Sequence, residues 1–206
     1  MKITTYGGLS VISAFSTGIG AAASIDLEMR VSIEGDNKSV NPPAVEKTLE
    51  FLELKFGKPF DYPIKIESEI PPAVGLKSSS ALTSAIVLCY LRMNDISIPE
   101  PGAIIAEASR YNHTSATGAL DDASCSIYGG LCVSDNNKDK ILKMRKLNEI
   151  NVLISWPKNK VRNSYEMTFE KMSVLGRSVN RLLLSDTQRP PYMEHDASSK
   201  APVADV

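Results

Sequence analysis

The 206 residues are 43% hydrophobic and 23% charged, with a formal net charge of −1. That balance suits a globular chain with a real core. It gives no reason to expect nucleic acid or a membrane surface as partner, since Lys and Arg are scattered and only 6% of residues are aromatic. From the N-terminus, Ile3 to Ala14 reads as a strand interrupted by a turn at Gly7-Gly8. Ser16 to Ala23 is a run of small residues around Gly18 and Gly20, of the kind that lets a backbone pass close to a ligand or another strand. Ser24 to Ile33 alternates Ile25, Leu27, Met29, Val31 and Ile33 with charged residues, a half-buried strand. Pro42-Pro43 opens a helix carrying Val45, Leu49, Leu52 and Phe56 at helical spacing, and Gly57 ends it.

Tyr62 to Ile70 returns to alternation and stops at Pro71-Pro72. A loop through Gly75 then leads into an apolar helix over Ser78 to Met93, and a further helix is expected from about Glu100 to Tyr111. His113 to Asp122 reads as a loop rich in Thr, Ser, Gly and Asp. Strands are expected over Ser126 to Ser134, Ile141 to Met144 and Asn151 to Ser155. Ser164 to Leu184 has moderate helical character, and the polar stretch beyond Ser185 reads as a disordered tail. No internal repeat is present. The N-terminus carries no basic leader with an apolar run behind it, and no stretch approaches a membrane span, which points to a cytoplasmic protein.

Two segments carry the chemistry. Pro71-Pro72-Ala73-Val74-Gly75-Leu76-Lys77-Ser78-Ser79-Ser80 joins a strand to a helix N-terminus. Unpaired N–H groups and the positive end of the helix dipole there suit a bound anion. Three serine hydroxyls can donate to phosphate oxygens or ligate Mg²⁺, and Lys77 can neutralise phosphate charge. The spacing is not that of a Walker loop. A plain serine-capped helix is the competing reading. The second segment is Thr117-Gly118-Ala119-Leu120-Asp121-Asp122, followed by Tyr128-Gly129-Gly130. Adjacent carboxylates can orient an acceptor hydroxyl or take its proton, though an Asp pair in a loop is more often simply solvated. Phosphoryl transfer asks for little more than positioning, a metal and such a carboxylate. Glu107, on the helix feeding this segment, is a candidate Mg²⁺ ligand and equally an ordinary exposed glutamate.

Cys89, Cys125 and Cys132 form no CxxC pair, and an odd count argues against a disulfide framework. They read as small core residues. His113 and His195 are the only histidines, and no third ligand stands nearby for a zinc site.

Pro-Pro-x-x-Gly-Leu-Lys-Ser-Ser-Ser-Ala resembles the phosphate loop of the GHMP kinase superfamily, in the variant carried by its archaeal shikimate kinases; most superfamily members have Gly where Lys77 stands. Ile12 to Leu27 is similar to that family's N-terminal strand pair, and Ser115 to Ala123 to its acidic loop, in the same order along the chain. The resemblance, from about Thr5 to about Arg162, implies an α+β fold: a ribosomal protein S5 domain 2-like N-terminal domain over residues 1–150, then a ferredoxin-like C-terminal domain. Within it, Pro72, Gly75, Leu76, Lys77, Ser78, Ser79 and Ser80 would hold ATP, Ser79 and more weakly Glu107 would hold Mg²⁺, and Asp122 with Asp121 would be catalytic. The implied reaction is transfer of the ATP γ-phosphate to the 3-hydroxyl of shikimate. Homoserine or mevalonate as acceptor, and a nucleotide-binding remnant without turnover, are the alternatives. Two departures stand out: Ile19 occupies a place that is often basic, and no Gly-Thr-Gly-Pro motif follows Gly130. The expected C-terminal domain is therefore an incomplete one over 151–184, ahead of a tail at 185–206.

Overall fold

A computed structural model of the chain describes residues 1–15, 17–34, 41–148 and 150–155. Its centre is a long strand, β2 (Ile19–Ile33), which pairs with β1 (Lys2–Ile12) along one edge. Along its other edge Met29–Ile33 pairs with β3 (Ile64–Ser68), and Ile19–Ala23 pairs with β4 (Leu131–Asp135). Strand β5 (Lys140–Arg145) adds outside β4, and all of these pairings are antiparallel. The helices α1 (Pro43–Phe56), α2 (Ser78–Met93), α3 (Gly102–Tyr111) and α4 (Leu120–Tyr128) form the second layer. Both α2 and α4 pack on β1 and β2, with α1 and α3 against α2.

Local sequence accounts for most of this. Helix α1 begins with Pro43 in its first turn and ends where Gly57 takes a left-handed conformation. Val45, Thr48, Leu49 and Leu52 form its buried face, following the 3–4 spacing. Helix α2 buries residues all round (Ala81, Thr83, Ala85, Ile86, Val87, Cys89, Tyr90), as a helix enclosed by other helices and a sheet must. The main core joins these to Ile3, Val31 and Ile64 of the sheet and to Ile104 and Ile105 of α3. Tyr90, fully buried, donates its hydroxyl to the Lys58 carbonyl, so its polar end does not oppose burial.

Three expectations need correction. Gly7-Gly8 does not interrupt β1 with a turn: the strand is continuous, and shifts of register between Tyr6 and Gly8 and between Ser10 and Ile12 absorb the irregularity. Asp121 and Asp122 are not in a loop, and Ser126 to Tyr128 is not strand. Residues 120–128 form α4, because Leu120, Ala123 and Ile127 fall on one helical stripe against the core and two carboxylates favour a helix N-terminus. Gly129-Gly130, both at positive φ, separate α4 from β4. Asn151 to Ser155 forms no strand, since alternation alone supplies no partner for its backbone. The expected helix at 164–184 and the tail beyond 185 lie outside the described residues, as does all of the expected second domain after 155. No helix among the described residues is long and apolar enough to cross a membrane.

Candidate active site

Helix α2 begins at Ser78, so the three serines occupy its first turn and Lys77 is the capping residue. No side chain caps the helix, which removes the serine-cap reading. Ser78 and Ser80 are half-buried and Ser79 is exposed. The first backbone bond of the helix runs from the Ala81 N–H to the Lys77 carbonyl, so the N–H groups of the three serines precede any intrahelical partner. Gly75 enters the loop at φ 88° and Lys77 takes φ 64°. That left-handed conformation is the physical reason a glycine would sit easily where Lys77 stands.

The loop is anchored from below. The Gly8 N–H donates to the Leu76 carbonyl at 3.1 Å, and the Thr5 hydroxyl donates to the Ala81 carbonyl at 2.8 Å. A Cβ on Gly8 would lie 3.1 Å from the Cys125 Sγ and 3.4 Å from the Lys77 Cγ. The glycine in β1 thus gives the lysine stem room to turn towards α4.

Helix α4 starts in the same way, from a left-handed Ala119 with no side-chain cap, and places Asp121 and Asp122 in its first turn. The Lys77 Nζ lies 2.9 Å from Asp122 Oδ2, joining the starts of α2 and α4. The other carboxylate oxygen of Asp122, Oδ1, is buried and has no hydrogen-bond partner among the described residues. Burial pushes the Asp122 carboxyl up to about 6; the Lys77 charge pulls it back, and the neighbouring Asp121 pushes it up again. A carboxylate poised there is half-charged near pH 6 and a usable base at neutral pH.

Asp121 is buried and fixed from two sides. Its Oδ1 accepts from the Asn136 Nδ2 at 3.0 Å, and the Asn136 Oδ1 accepts from the Ser134 hydroxyl at 2.5 Å. Opposite stands Gly20, where an added Cβ would come within 2.6 Å of the Asp121 carboxyl. The small-residue run therefore serves close approach to a carboxylate. Asn136 and Ser134 were not singled out from sequence; an Asn-Asn pair before Lys138 looks like turn chemistry, and nothing local ties it to Asp121. Arg110, on α3, pairs with both oxygens of Asp139 and donates to the Thr117 carbonyl, tying the segment before α4 to the β4–β5 turn.

The structure thus brings together Lys77, Asp121 and Asp122 at the Gly75–Ser80 loop. It turns Glu107 towards α1, where the carboxylate accepts from Lys55 Nζ at 2.6 Å. No group of three or more His, Cys, Asp or Glu side chains suited to a metal exists among the described residues. Cys125 is buried beside the carboxylates, and burial followed by both negative charges pushes its thiol far up, so it has no thiolate character. Pro72 is exposed and Leu76 buried, the latter packing with Met29, Ile70 and Ala81 under the loop.

Comparison with known proteins shows the family of the chain. The GHMP kinases N terminal domain model matches residues 44–130, which hold α1 to α4 and both motifs. The shikimate kinase of Thermoplasma acidophilum is 37% identical over 155 residues, covering 74% of this chain and 56% of that protein. The shikimate kinase of Pyrococcus abyssi is 35% identical over 198 residues, covering 86% of this chain and 71% of its own length. The chain thus spans between about half and seven-tenths of the length of these curated relatives. Among solved structures, the Lactococcus lactis galactokinase complexed with galactose superposes with a TM-score of 0.61 at 16% identity, covering 88% of this chain and 56% of that one. The Methanococcus jannaschii mevalonate kinase gives 0.52 at 19% identity, covering 72% and 56%. Those two likenesses establish the fold, and the sequence relatives narrow it: the chain belongs to the GHMP kinase superfamily, within the family of the archaeal shikimate kinases.

Proposed function

We propose that this chain is an ATP-dependent kinase that phosphorylates the 3-hydroxyl of shikimate, yielding 3-phosphoshikimate and ADP on the route to chorismate and the aromatic amino acids. The observation that carries the reading is the pairing of Lys77 with a buried Asp122 at the start of two helices. One cation for phosphate and one carboxylate of raised basicity then share a single point in the fold. The acceptor is argued from the shikimate kinase relatives.

In this reading the first-turn N–H groups of α2 and the hydroxyls of Ser78, Ser79 and Ser80 receive the phosphate oxygens of ATP, with Gly75 and Pro72 shaping the approach. Lys77 neutralises developing charge on the transferring phosphoryl group. Asp122 Oδ1 accepts the proton of the attacking hydroxyl as that oxygen bonds to the γ-phosphorus and the bond to ADP breaks. The neighbouring Asp121 pushes the Asp122 pKa up, which sustains its basicity. Mg²⁺ carried by the nucleotide would spread the phosphate charge, and the donor set present fits an ion held mostly by phosphate and water, with Ser79 as its protein oxygen. Glu107 would reach such an ion only by giving up Lys55.

The test is ADP release measured in parallel with shikimate, homoserine and mevalonate. Release with shikimate alone is expected. Selective release with homoserine or mevalonate replaces the acceptor, and MgATP binding without ADP from any acceptor replaces the kinase by a nucleotide-binding protein.

A further inference from the structure

The geometry points to Asn136, in the turn between β4 and β5, as a positioning residue for phosphoryl transfer: it anchors Asp121 and so leaves Asp122 as the carboxylate free to act. This rests on the reading of Asp122 as the proton acceptor.

Two adjacent buried carboxylates present a problem of assignment, because nothing in an Asp-Asp dipeptide says which one should work. The fold breaks the symmetry. Asn136 is itself buried and uses both ends of its amide: Oδ1 accepts from the Ser134 hydroxyl, so Nδ2 is turned to Asp121 Oδ1. Its backbone N–H donates to the Gly18 carbonyl at 2.7 Å, which fixes the turn to the strand that carries Gly20. Gly20 then closes the other side of the Asp121 carboxylate. Among the described residues, Asp122 is held through Oδ2, by Lys77, and its Oδ1 has no partner.

The chemistry of the donor matters as much as its place. An amide N–H satisfies a carboxylate without cancelling its charge. The neighbouring Asp121 pushes the affinity of Asp122 for a proton up. A lysine or arginine at position 136 would hold Asp121 equally well and abolish that effect. Asn136 touches neither substrate nor nucleotide in this scheme and acts wholly through Asp121.

A double-mutant cycle on the full chain tests this, using Asn136→Ala, Asp121→Ala and the double variant, with kcat and the KM for MgATP and shikimate read separately. Asn136→Ala is expected to lower kcat about 10- to 100-fold, as displacement of a reacting group does, with both KM values within about threefold. In the Asp121→Ala background the same change is expected to cost nothing further. Independent, multiplying effects would overturn the inference, as would an Asn136→Ala enzyme of wild-type kcat. Should Asn136→Ala fail to fold, Ser134→Ala carries the same cycle, with a smaller loss that also vanishes without Asp121. A wild-type chain without turnover, or an Asp122→Asn variant at full rate, sinks the kinase reading itself. Additivity in an otherwise Asp122-dependent enzyme sinks only the role of Asn136.

Discussion

The Lys77 ammonium stands 2.9 Å from Asp122 Oδ2, although 45 positions (122 − 77) separate the two residues in the chain. This ion pair is where the serine loop and the acidic segment meet. In the proposed reaction its two members answer to different demands: the lysine must be free to meet phosphate, and the aspartate must stay basic while buried.

Replacing Asp122 by Asn keeps the shape and removes the proposed proton acceptor. The expected result is a fall in kcat of about 100-fold or more with MgATP affinity changed only a few-fold, since general-base catalysis contributes on that scale. Steady-state kinetics beside a nucleotide-binding titration read the split.

The same carboxylate sets a pH dependence. In the folded chain it titrates at about 6, against roughly 4 when unfolded. A raised carboxyl pKa means that the folded state holds the extra proton between those values, so its contribution to stability falls as pH rises through that window. Asp122→Asn removes the penalty and should therefore be more stable than wild type at neutral pH, by about 1–3 kcal/mol, with the gap closing below about pH 4. Denaturant unfolding at several pH values measures it. In the wild type, kcat/KM should rise with pH through an acid limb near 6 and flatten above it.

Lys77→Gly separates backbone from charge. Glycine relieves a left-handed residue, a gain of about 1 kcal/mol at most, while the phosphate cation and the partner of Asp122 are lost. Expected are a lowered melting temperature at neutral pH, because a buried Asp122 without its cation outweighs the backbone gain, a KM for MgATP increased about tenfold or more, and an acid limb displaced to higher pH because the charge that lowers the Asp122 pKa is gone. A displacement to lower pH would contradict the pairing.

Gly20→Ala tests the close approach of β2 to α4. The new methyl would meet the Asp121 carboxyl at 2.6 Å, and since that group is pinned by Asn136 it has little room to yield. A stability loss of about 1–3 kcal/mol, typical of overpacking, should accompany a fall in kcat. Thermal unfolding and kinetics on the same preparation check both.

Thr5→Val removes the hydroxyl that holds the first turn of α2 to β1 and leaves the Ala81 carbonyl without that donor. A loss of about 1–2 kcal/mol is expected in equilibrium unfolding, with weaker MgATP binding as the phosphate loop loosens.

Helix α1, with its proline start, glycine stop and 3–4 stripe, was legible in the chain because every signal is local. So was α2 to the residue, Ser78 to Met93. The placement of the three serines in the first turn of α2, with Lys77 before them, was legible for the same reason. Helix α4 was harder: nine residues with Thr and Gly before them and two Asp in their first turn look like loop until Leu120, Ala123 and Ile127 meet a core supplied from far away. The strand expected at 151–155 failed in the opposite direction, as alternation without a ladder partner.

What the sequence alone determined was the inventory: a serine-rich loop at a helix start, a carboxylate pair ahead of Gly129-Gly130, and an ordinary globular composition. The tertiary structure decided how those parts divide the work. Only the packing of α4 on β1 and β2 buries Asp122 against Lys77, and only the β4–β5 turn brings Asn136 to Asp121. Charge, burial and hydrogen-bond supply at a carboxylate come from neighbours distant in the chain, and these are the quantities that set its basicity.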